Sequence, residues 1–290
     1  KALHRALDLG VTLIDTAAGY GNGHSERVIS KVMKERAAWG KVAVATKVPP
    51  APGPWPPSPY CRAAERYSEE YLRRSVEERL ANLGTDCVDI LQLHTWTRAW
   101  NRDPYPLEIL QELRREGKLR FIGISTPEHD QNAFNQLIRE GWLDVVQVIY
   151  NIFEQEPAAE LLPTAAEAGV GVIARMPFDE GALTGKYTED TRFDESDFRS
   201  RYFMGDRLKR VVREVAKVKE DLEGSGFSLP EAALKFALSH PAVSLTIPGM
   251  RNAAQAEANC AVSEKPDLQQ ELLLKLRRHN WRRAFWYEGR

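Results

Sequence analysis

Residues 145–176 read VVQVIYNIFEQEPAAELLPTAAEAGVGVIARM, and this stretch decides the fold class. It begins and ends with apolar, β-branched runs at 145–151 and 170–176, which suit strands buried on both faces. Residues 158–168 between them have a helical pattern, and Gly169 stands where a left-handed residue commonly ends a helix. A buried strand, a helix and another buried strand predict one β-α-β unit of a parallel sheet.

The same alternation extends in both directions along the chain. Further strands are predicted at 12–16, 42–48, 88–95, 121–125 and 244–248. Helices are predicted at 25–38, 68–83, 106–116, 128–140, 206–222, 230–239, 252–261 and 267–280. An open doubly wound sheet and a closed (β/α)8 barrel both fit this order. We favour a single α/β domain over 1–290, a (β/α)8 TIM barrel that lacks its first strand at the N-terminus, because seven strands are found and the first residues read as a helix.

Composition excludes several classes of function. The chain has 290 residues with 40 Lys and Arg against 41 Asp and Glu, and this balance argues against nucleic acid as a partner. No apolar run reaches the ~18 residues of a membrane span, and no signal peptide is recognisable. Three cysteines, none in a C-x-x-C pair, exclude a disulfide scaffold and a cysteine-based metal site, and they favour the cytoplasm. No metal site is predicted, and the oligomeric state stays open.

Ionisable side chains stand at the ends of three successive predicted strands. Asp15 ends the first, with Tyr20 five residues later, Lys47 ends the second and His94 ends the third. The carboxyl ends of parallel strands meet at one rim of a barrel, so these groups are expected to lie together. One cation at ~4 Å is worth about 4 kcal/mol at an effective dielectric of ~20, so we expect Lys47 to lower the pKa of Tyr20. Each residue alone has an ordinary structural explanation, and only the combination predicts proton transfer to a carbonyl oxygen.

With these residues the chain resembles the aldo-keto reductase superfamily. The matching stretches are LIDTAAGYGNGHSERVI at 13–29, VATKV at 44–48, DILQLH at 89–94, VVQVIYNIFEQE at 145–156 and LTIPGMRNAAQAEAN at 245–259. The resemblance implies an NAD(P)H-dependent oxidoreductase in which Tyr20 is the general acid, Lys47 and Asp15 tune it, and His94 orients the substrate carbonyl. The glycines at 19, 21 and 23 are interpreted as turn residues and not as a dinucleotide fingerprint.

The resemblance also implies a nicotinamide cofactor, NADP (as NADPH) in preference to NAD. Its binding residues would be Ser125, Thr126, Gln147, Arg175, Pro177, Phe178, Gly181, Leu183, Gly185, Lys186, Gly249, Arg251, Gln255 and Asn259. Thr126 stands where the family usually has Asn. The last four residues could instead be an ordinary helix start with Asn252 as the N-cap. Arg251, with Lys186 or Arg199, is the predicted partner of the 2′-phosphate.

Arg175 departs from the family pattern, since many relatives have an aromatic residue there that stacks on the nicotinamide. Its charge is expected to disfavour the cationic oxidised cofactor, and we predict that Arg175→Tyr changes the relative affinity for the two redox forms. Glu180 or Asp179 could neutralise this charge.

The substrate is predicted to be a small aldehyde, ketone or sugar-like carbonyl. Aromatic residues in the rim loops and the tail suit a cavity with few fixed charges, although ordinary packing explains each of them equally well. They are Trp55, Tyr60, Trp96, Trp100, Phe178, Tyr202, Phe203, Trp281, Trp286 and Tyr287. Two alternatives remain: a barrel aldolase that forms a Schiff base on Lys47, and a nicotinamide-binding regulatory subunit with little turnover.

Overall fold

Seven parallel strands in sequential order form one curled sheet, an α/β arrangement consistent with a (β/α)8 barrel. The computed structural model describes residues 1–54 and 57–281. The strands are β1 (Leu13–Asp15), β2 (Ala43–Val48), β3 (Val88–Leu93), β4 (Leu119–Ser125), β5 (Val145–Ile149), β6 (Gly171–Arg175) and β7 (Leu245–Thr246). The seven predicted strands are thus confirmed, each with shorter or slightly shifted ends.

Helices connect the strands and cover the outside of the sheet. They are α1 (Ala2–Asp8), α2 (His24–Glu35), α3 (Ala63–Arg66), α4 (Glu69–Leu83), α5 (Tyr105–Arg115), α6 (Asn135–Arg139), α7 (Leu161–Ala168), α8 (Phe198–Tyr202), α9 (Arg207–Asp221), α10 (Leu229–Leu238), α11 (Ala253–Ala261) and α12 (Gln270–Arg277). Gly169 ends α7 in the left-handed conformation, as expected for a helix that turns into a buried strand.

The helix predicted at 128–140 is wrong for its first half, because only α6 is helical there. The Gln131 side chain explains the difference. Its Oε1 accepts hydrogen bonds from the Thr126 hydroxyl (2.6 Å) and the Ile149 amide (2.9 Å), while its Nε2 donates to the Pro127 carbonyl (2.8 Å). These contacts tie the segment to the ends of β4 and β5 and hold it as an irregular turn.

The strand register places the predicted site residues at one rim. Asp15 pairs with Ala45 in β2, and Lys47, two residues further along β2, pairs with Gln92 in β3. His94 directly follows β3, and its amide donates to the Val48 carbonyl (2.9 Å). Within the described residues, no helix is long and apolar enough to cross a membrane.

Candidate active site

The floor of the site is a buried ion pair between β1 and β2. Lys47 is 1% exposed, and its Nζ donates to Asp15 Oδ2 (2.6 Å) and to the Thr16 carbonyl (2.8 Å). The other Asp15 oxygen, Oδ1, accepts a hydrogen bond from Gln147 Nε2 (2.7 Å). Burial lowers the pKa of Lys47, and the Asp15 carboxylate opposes that effect. Both charges are therefore paired, which is what burial at this depth requires.

A tight turn between β1 and α2 carries Tyr20 to this pair. Gly21, Asn22 and Gly23 have φ values of 64°, 50° and 77°, so the chain reverses through three left-handed residues. A Cβ added at Gly23 would lie 2.6 Å from Asn82 Nδ2, so a larger residue would displace this side chain from its hydrogen bond to Glu26. The interpretation of Gly21 and Gly23 as turn residues is confirmed. Lys47 Nζ lies 5.7 Å from the centroid of the Tyr20 ring.

A buried carboxylate that the sequence analysis missed supports this turn. Glu26 in α2 is fully buried, and it accepts hydrogen bonds from Thr46 Oγ1 (2.6 Å), Arg79 Nε (2.8 Å) and Asn82 Nδ2 (2.9 Å). The network joins the helix after Tyr20 to the residue before Lys47. A signal was present in the sequence, because Glu26 precedes Ile29 and Met33 at the spacing of a buried helix face.

His94 faces the Tyr20 ring on the third strand end. The two ring centroids are 6.4 Å apart in an edge-on arrangement. Burial, with the charges of Lys47 and Arg175, lowers the pKa of His94 to about 3. The imidazole is therefore neutral near pH 7, with one N–H that can donate to an oxygen and no charge of its own.

The prediction that Lys47 lowers the pKa of Tyr20 is wrong in direction. Burial raises the pKa of Tyr20 and the Asp15 carboxylate adds to this, while the charge of Arg175 acts the other way. Half of the Tyr20 surface is nevertheless open, because the residue lines a cavity. The Asp15 carboxylate opposes the ammonium charge on which the prediction relied. Tyr20 consequently keeps its proton at neutral pH, the state that a general acid needs.

A cavity of about 420 Å³ lies beside these groups. Of the predicted residues, Tyr20, His94, Ser125, Gln147, Arg175 and Tyr202 line it. The others on its surface are Pro49, Pro50, Glu128, Met176, Glu180 and Phe198. Two carboxylates and a guanidinium in the wall contradict the expectation of few fixed charges.

Arg175 ends β6 and lines the cavity. Its Nη2 donates to the Thr126 carbonyl (3.1 Å) and to Glu128 Oε1 (3.3 Å). The ion-pair partner is thus Glu128, and not Asp179 or Glu180 as the sequence suggested. Burial, with the charge of Asp179, raises the pKa of Glu180. The Thr126 side chain does not line the cavity, because its hydroxyl is bonded to Gln131 within the turn.

The predicted pyrophosphate loop follows β6 as a tightly wound segment. Gly181 and Gly185 have φ values of 96° and 70°. Leu183 and Pro177 are buried and Phe178 packs against the core, so these three side chains support the loop from beneath. Lys186 is exposed.

The predicted adenosine-binding residues surround the start of α11, with Gly249 just before it and Asn259 within the helix. Asn252 caps this helix by accepting from the Gln255 amide (2.9 Å), so the ordinary helix-start interpretation is confirmed for the backbone. Gln255 Oε1 accepts a hydrogen bond from the Arg251 amide (2.7 Å), while the exposed Arg251 side chain remains a candidate anion ligand.

Arg199 does not fit its predicted role as a phosphate partner. Its guanidinium chelates Asp197, and its Nη1 donates to the Tyr187 hydroxyl (3.1 Å). The hydrogen bonds from Arg199 lower the pKa of Asp197 to about 2, so the carboxylate stays charged and keeps the arginine engaged.

Only some of the predicted aromatic residues reach the cavity. Trp96 and Trp100 are buried side by side in the core, with ring centroids 5.3 Å apart. Phe203 packs on Phe193, Tyr60 is exposed, and Trp281 packs edge-on against Phe153. Trp55, Trp286 and Tyr287 lie outside the described residues.

Comparison with known proteins agrees with this geometry. The sequence model of the aldo/keto reductase family matches residues 1–280. This chain belongs to the aldo-keto reductase family. It is therefore a carbonyl-reducing oxidoreductase of a family that uses nicotinamide cofactors.

Individual relatives extend the comparison over most of the chain. The aldo-keto reductase YhdN of Bacillus subtilis (strain 168) is 31% identical over 265 residues, which cover 89% of this chain and 76% of that protein. The NADH-specific methylglyoxal reductase of Escherichia coli (strain K12) is 32% identical over 196 residues, covering 62% of this chain and 56% of that one. The holo form of aldo-keto reductase AKR11C1 from Bacillus halodurans superposes with a TM-score of 0.75 at 26% identity, over 99% of this chain and 88% of that structure.

The polar atoms of the cavity wall fit the amide group of a nicotinamide. Ser125 lines the cavity with a hydroxyl, and Gln147, whose N–H is used by Asp15, retains its oxygen as an acceptor. A carboxamide presents donors and an acceptor that match such groups. The residues of this reductase are thus suited to the cofactor of its family.

The surroundings of Lys47 disfavour the Schiff-base alternative. A nucleophilic lysine must be neutral and open to the substrate. In this reductase Nζ is buried, bonded to a carboxylate and a carbonyl, and Lys47 is not among the residues that line the cavity.

Proposed function

We propose that this protein reduces an aldehyde, ketone or sugar-like carbonyl to an alcohol with NADPH, and that Tyr20 is the general acid. The observation that carries the proposal is the meeting of Tyr20, His94 and the Asp15–Lys47 pair at the cavity. These residues are spread over 80 positions of the sequence and come from three strand ends. A phenol that holds its proton beside a neutral imidazole suits the protonation of a carbonyl oxygen.

Each residue of the site has one task in this scheme. The His94 N–H donates a hydrogen bond to the carbonyl oxygen and fixes its position. A nicotinamide held beside Ser125 and Gln147 would supply the hydride for the carbonyl carbon. The Tyr20 hydroxyl gives its proton to the oxygen, and the nearby Lys47 ammonium stabilises the phenolate that remains. Asp15 holds Lys47 in place through the 2.6 Å contact.

The cofactor is held in this proposal by Ser125 and Gln147 at its amide and by the 177–186 loop and the start of α11 at its other end. The exposed Arg251 is the preferred partner of a 2′-phosphate, since Arg199 is engaged by Asp197. The charges and aromatic rings at the cavity, with Phe198 and Tyr202 on one side, suit a small polar carbonyl compound.

The experiment compares the wild-type protein with Tyr20→Phe. NADPH and NADH are titrated into each by fluorescence, and reduction of a panel of aldehydes and ketones is then followed. We expect tighter binding of NADPH, turnover by the wild type, and a loss of about 100-fold or more in kcat with Tyr20→Phe at nearly unchanged cofactor affinity.

Each departure from this result rejects a defined part of the proposal. Equal turnover by wild type and Tyr20→Phe would reject Tyr20 as the acid. Tighter binding of NADH, as the name of the Escherichia coli relative indicates for that protein, would reject the NADP preference. Tight binding without turnover on any substrate of the panel would favour the regulatory alternative.

A further inference from the structure

Glu128 and Arg175 form an ion pair in the cavity wall that is only partly satisfied. Their side chains are 15% and 16% exposed, and Arg175 Nη2 lies 3.3 Å from Glu128 Oε1. Arg175 Nε and Glu128 Oε2 are buried and have no hydrogen-bond partner within the described part of the chain. A purely structural ion pair would be expected to use these atoms, because an unpaired buried polar atom is costly. Glu128 and Arg175 both line the cavity beside Ser125 and Gln147, so a molecule bound there lies next to this ion pair.

The Arg175 charge reaches the atoms at which the reaction takes place. The Arg175 charge acts to lower the pKa of Tyr20, of Lys47 and of His94. Burial has the larger influence on each of them, and for Tyr20 it acts in the opposite direction. A molecule bound between Arg175 and Tyr20 experiences the same field. If a bound ring has two forms that differ in charge, the net charge of the wall decides which of the two forms binds more tightly.

Most of the other charged groups near the cavity are paired with one another. Asp15 and Lys47 compensate each other at 2.6 Å, and Arg199 is paired with Asp197. Glu180 also lines the cavity and burial raises its pKa, but it is the same in the wild type and in every Glu128 or Arg175 variant, so its influence cancels when they are compared. Buried Asp179 accepts a hydrogen bond from the Tyr202 hydroxyl (3.1 Å), on the side of the loop that faces the core.

We propose that the Glu128–Arg175 pair determines how this protein discriminates between the reduced and the oxidised cofactor. The proposal rests on the proposed function, because it requires a nicotinamide in this cavity. The reduced nicotinamide ring is neutral and the oxidised ring is a cation. Arg175 alone would repel the oxidised form, and Glu128 offsets that repulsion. The balance of the pair therefore decides whether the oxidised cofactor left after carbonyl reduction is retained or released. Glu128 is thus a specificity residue that the sequence did not reveal.

The test measures dissociation constants for NADPH and NADP⁺ by calorimetry, without turnover, in four proteins: wild type, Glu128→Gln, Arg175→Met and the double variant. Glu128→Gln leaves the guanidinium uncompensated, so the ratio of the oxidised to the reduced dissociation constant is expected to rise about fivefold. Arg175→Met leaves the carboxylate uncompensated, so the ratio is expected to fall by a similar factor. The double variant should return close to the wild-type ratio.

Asp130→Asn is the matched control, since it removes a carboxylate from the same turn without reaching the cavity. Asp130 pairs with Arg98 on the outside, where the Arg98 side chain is 60% exposed. The ratio of the oxidised to the reduced dissociation constant should be the same in Asp130→Asn as in the wild type. Because the two single variants are expected to change the ratio in opposite directions, poor folding of one of them does not produce the expected pattern.

The outcomes separate this inference from the function on which it rests. If the wild type binds neither form, the proposed function fails and this inference fails with it. If both forms bind and the ratio is the same in the wild type, Glu128→Gln and Arg175→Met, the inference alone is overturned. If only absolute affinities change, and by the same factor for both forms, the pair has a structural role and no discriminating one.

Discussion

The two walls of the cavity are built on different electrostatic principles. In the first wall, from the ends of β1 to β3, Lys47 Nζ makes two hydrogen bonds and both Asp15 oxygens are bonded. In the second wall, from the ends of β4 to β6, Glu128 and Arg175 touch through one contact of 3.3 Å and each retains a buried atom without a partner in the described chain. The ion pair of the first wall is fully bonded, whereas each partner in the ion pair of the second wall leaves one buried atom without a hydrogen bond in the described chain.

This difference separates chemistry from recognition. A group that moves protons must be held at a fixed position and a fixed charge, and a fully bonded pair achieves that. A group that recognises a ligand must stand at the surface of the cavity, as Glu128 and Arg175 do. The first wall therefore fits the catalytic role proposed for Tyr20 and Lys47, and the second fits the discrimination proposed for Glu128 and Arg175.

The largest effect is expected from Lys47→Met, which removes the cation from the ion pair of the first wall. Asp15 would be left as a buried carboxylate without a cation, so the free energy of unfolding should fall by about 3–5 kcal/mol. Carbonyl reduction should fall about 100-fold or more. Urea denaturation and steady-state kinetics measure the two quantities.

The double variant Asp15→Asn/Lys47→Met is the control for this prediction. It removes both charges, so most of the lost stability should return while activity stays low. If the single and double variants are equally stable, the cost does not come from an uncompensated charge, and the first wall is not held together as described.

A smaller effect concerns the pH dependence of stability, through His94. Its pKa is about 3 in the folded protein, whereas an unperturbed histidine has a value of about 6.5. As the pH falls from about 6.5 towards 3, the unfolded chain takes up a proton that the folded chain does not. Stability should therefore fall with falling pH by up to about 1.4 kcal/mol per unit from this residue.

The measurement compares wild type with His94→Gln by denaturation between pH 7 and pH 4. Contributions of the other histidines are common to both proteins and cancel in the difference. The wild type should lose about 3 kcal/mol more than the variant over this range. Parallel curves would mean that His94 is hydrated and can be protonated in the folded protein.

The first wall was predictable from the sequence for a physical reason. In a parallel sheet the carboxyl ends of the strands share one rim, so locating the strands was sufficient to bring Asp15, Lys47 and His94 together. Sequence alone failed on the pKa of Tyr20. That error arose because the sequence provides no measure of burial, which raises the pKa of Tyr20 most, and because the Asp15 carboxylate, 2.6 Å from Lys47 Nζ, opposes the ammonium charge.

The second wall was not predictable in the same way. Glu128 lies in a segment whose pattern indicated a helix, and the side-chain contacts of Gln131 with the ends of two strands prevent that helix from forming. Glu26 meets Arg79 across 53 positions of sequence, a contact that depends on the packing of α2 against α4. Local patterns carry no information about such partners, and Trp96 and Trp100 show the same limit, since rim-loop positions did not reveal their burial.

The smallest effect is expected when both residues of the second wall's ion pair, Glu128 and Arg175, are replaced together. Single variants Glu128→Gln and Arg175→Met should each lower the free energy of unfolding by about 1–3 kcal/mol, because each leaves a charged partner without its counter-ion. The double variant should lie within about 1 kcal/mol of the wild type, since it also removes the two buried atoms that lack partners. Urea denaturation of the four proteins forms a double-mutant cycle that measures the coupling between the two residues. A double variant that loses as much as the sum of the singles would show that the second wall stabilises the fold as an independent set of contacts, and the contrast between the two walls would disappear.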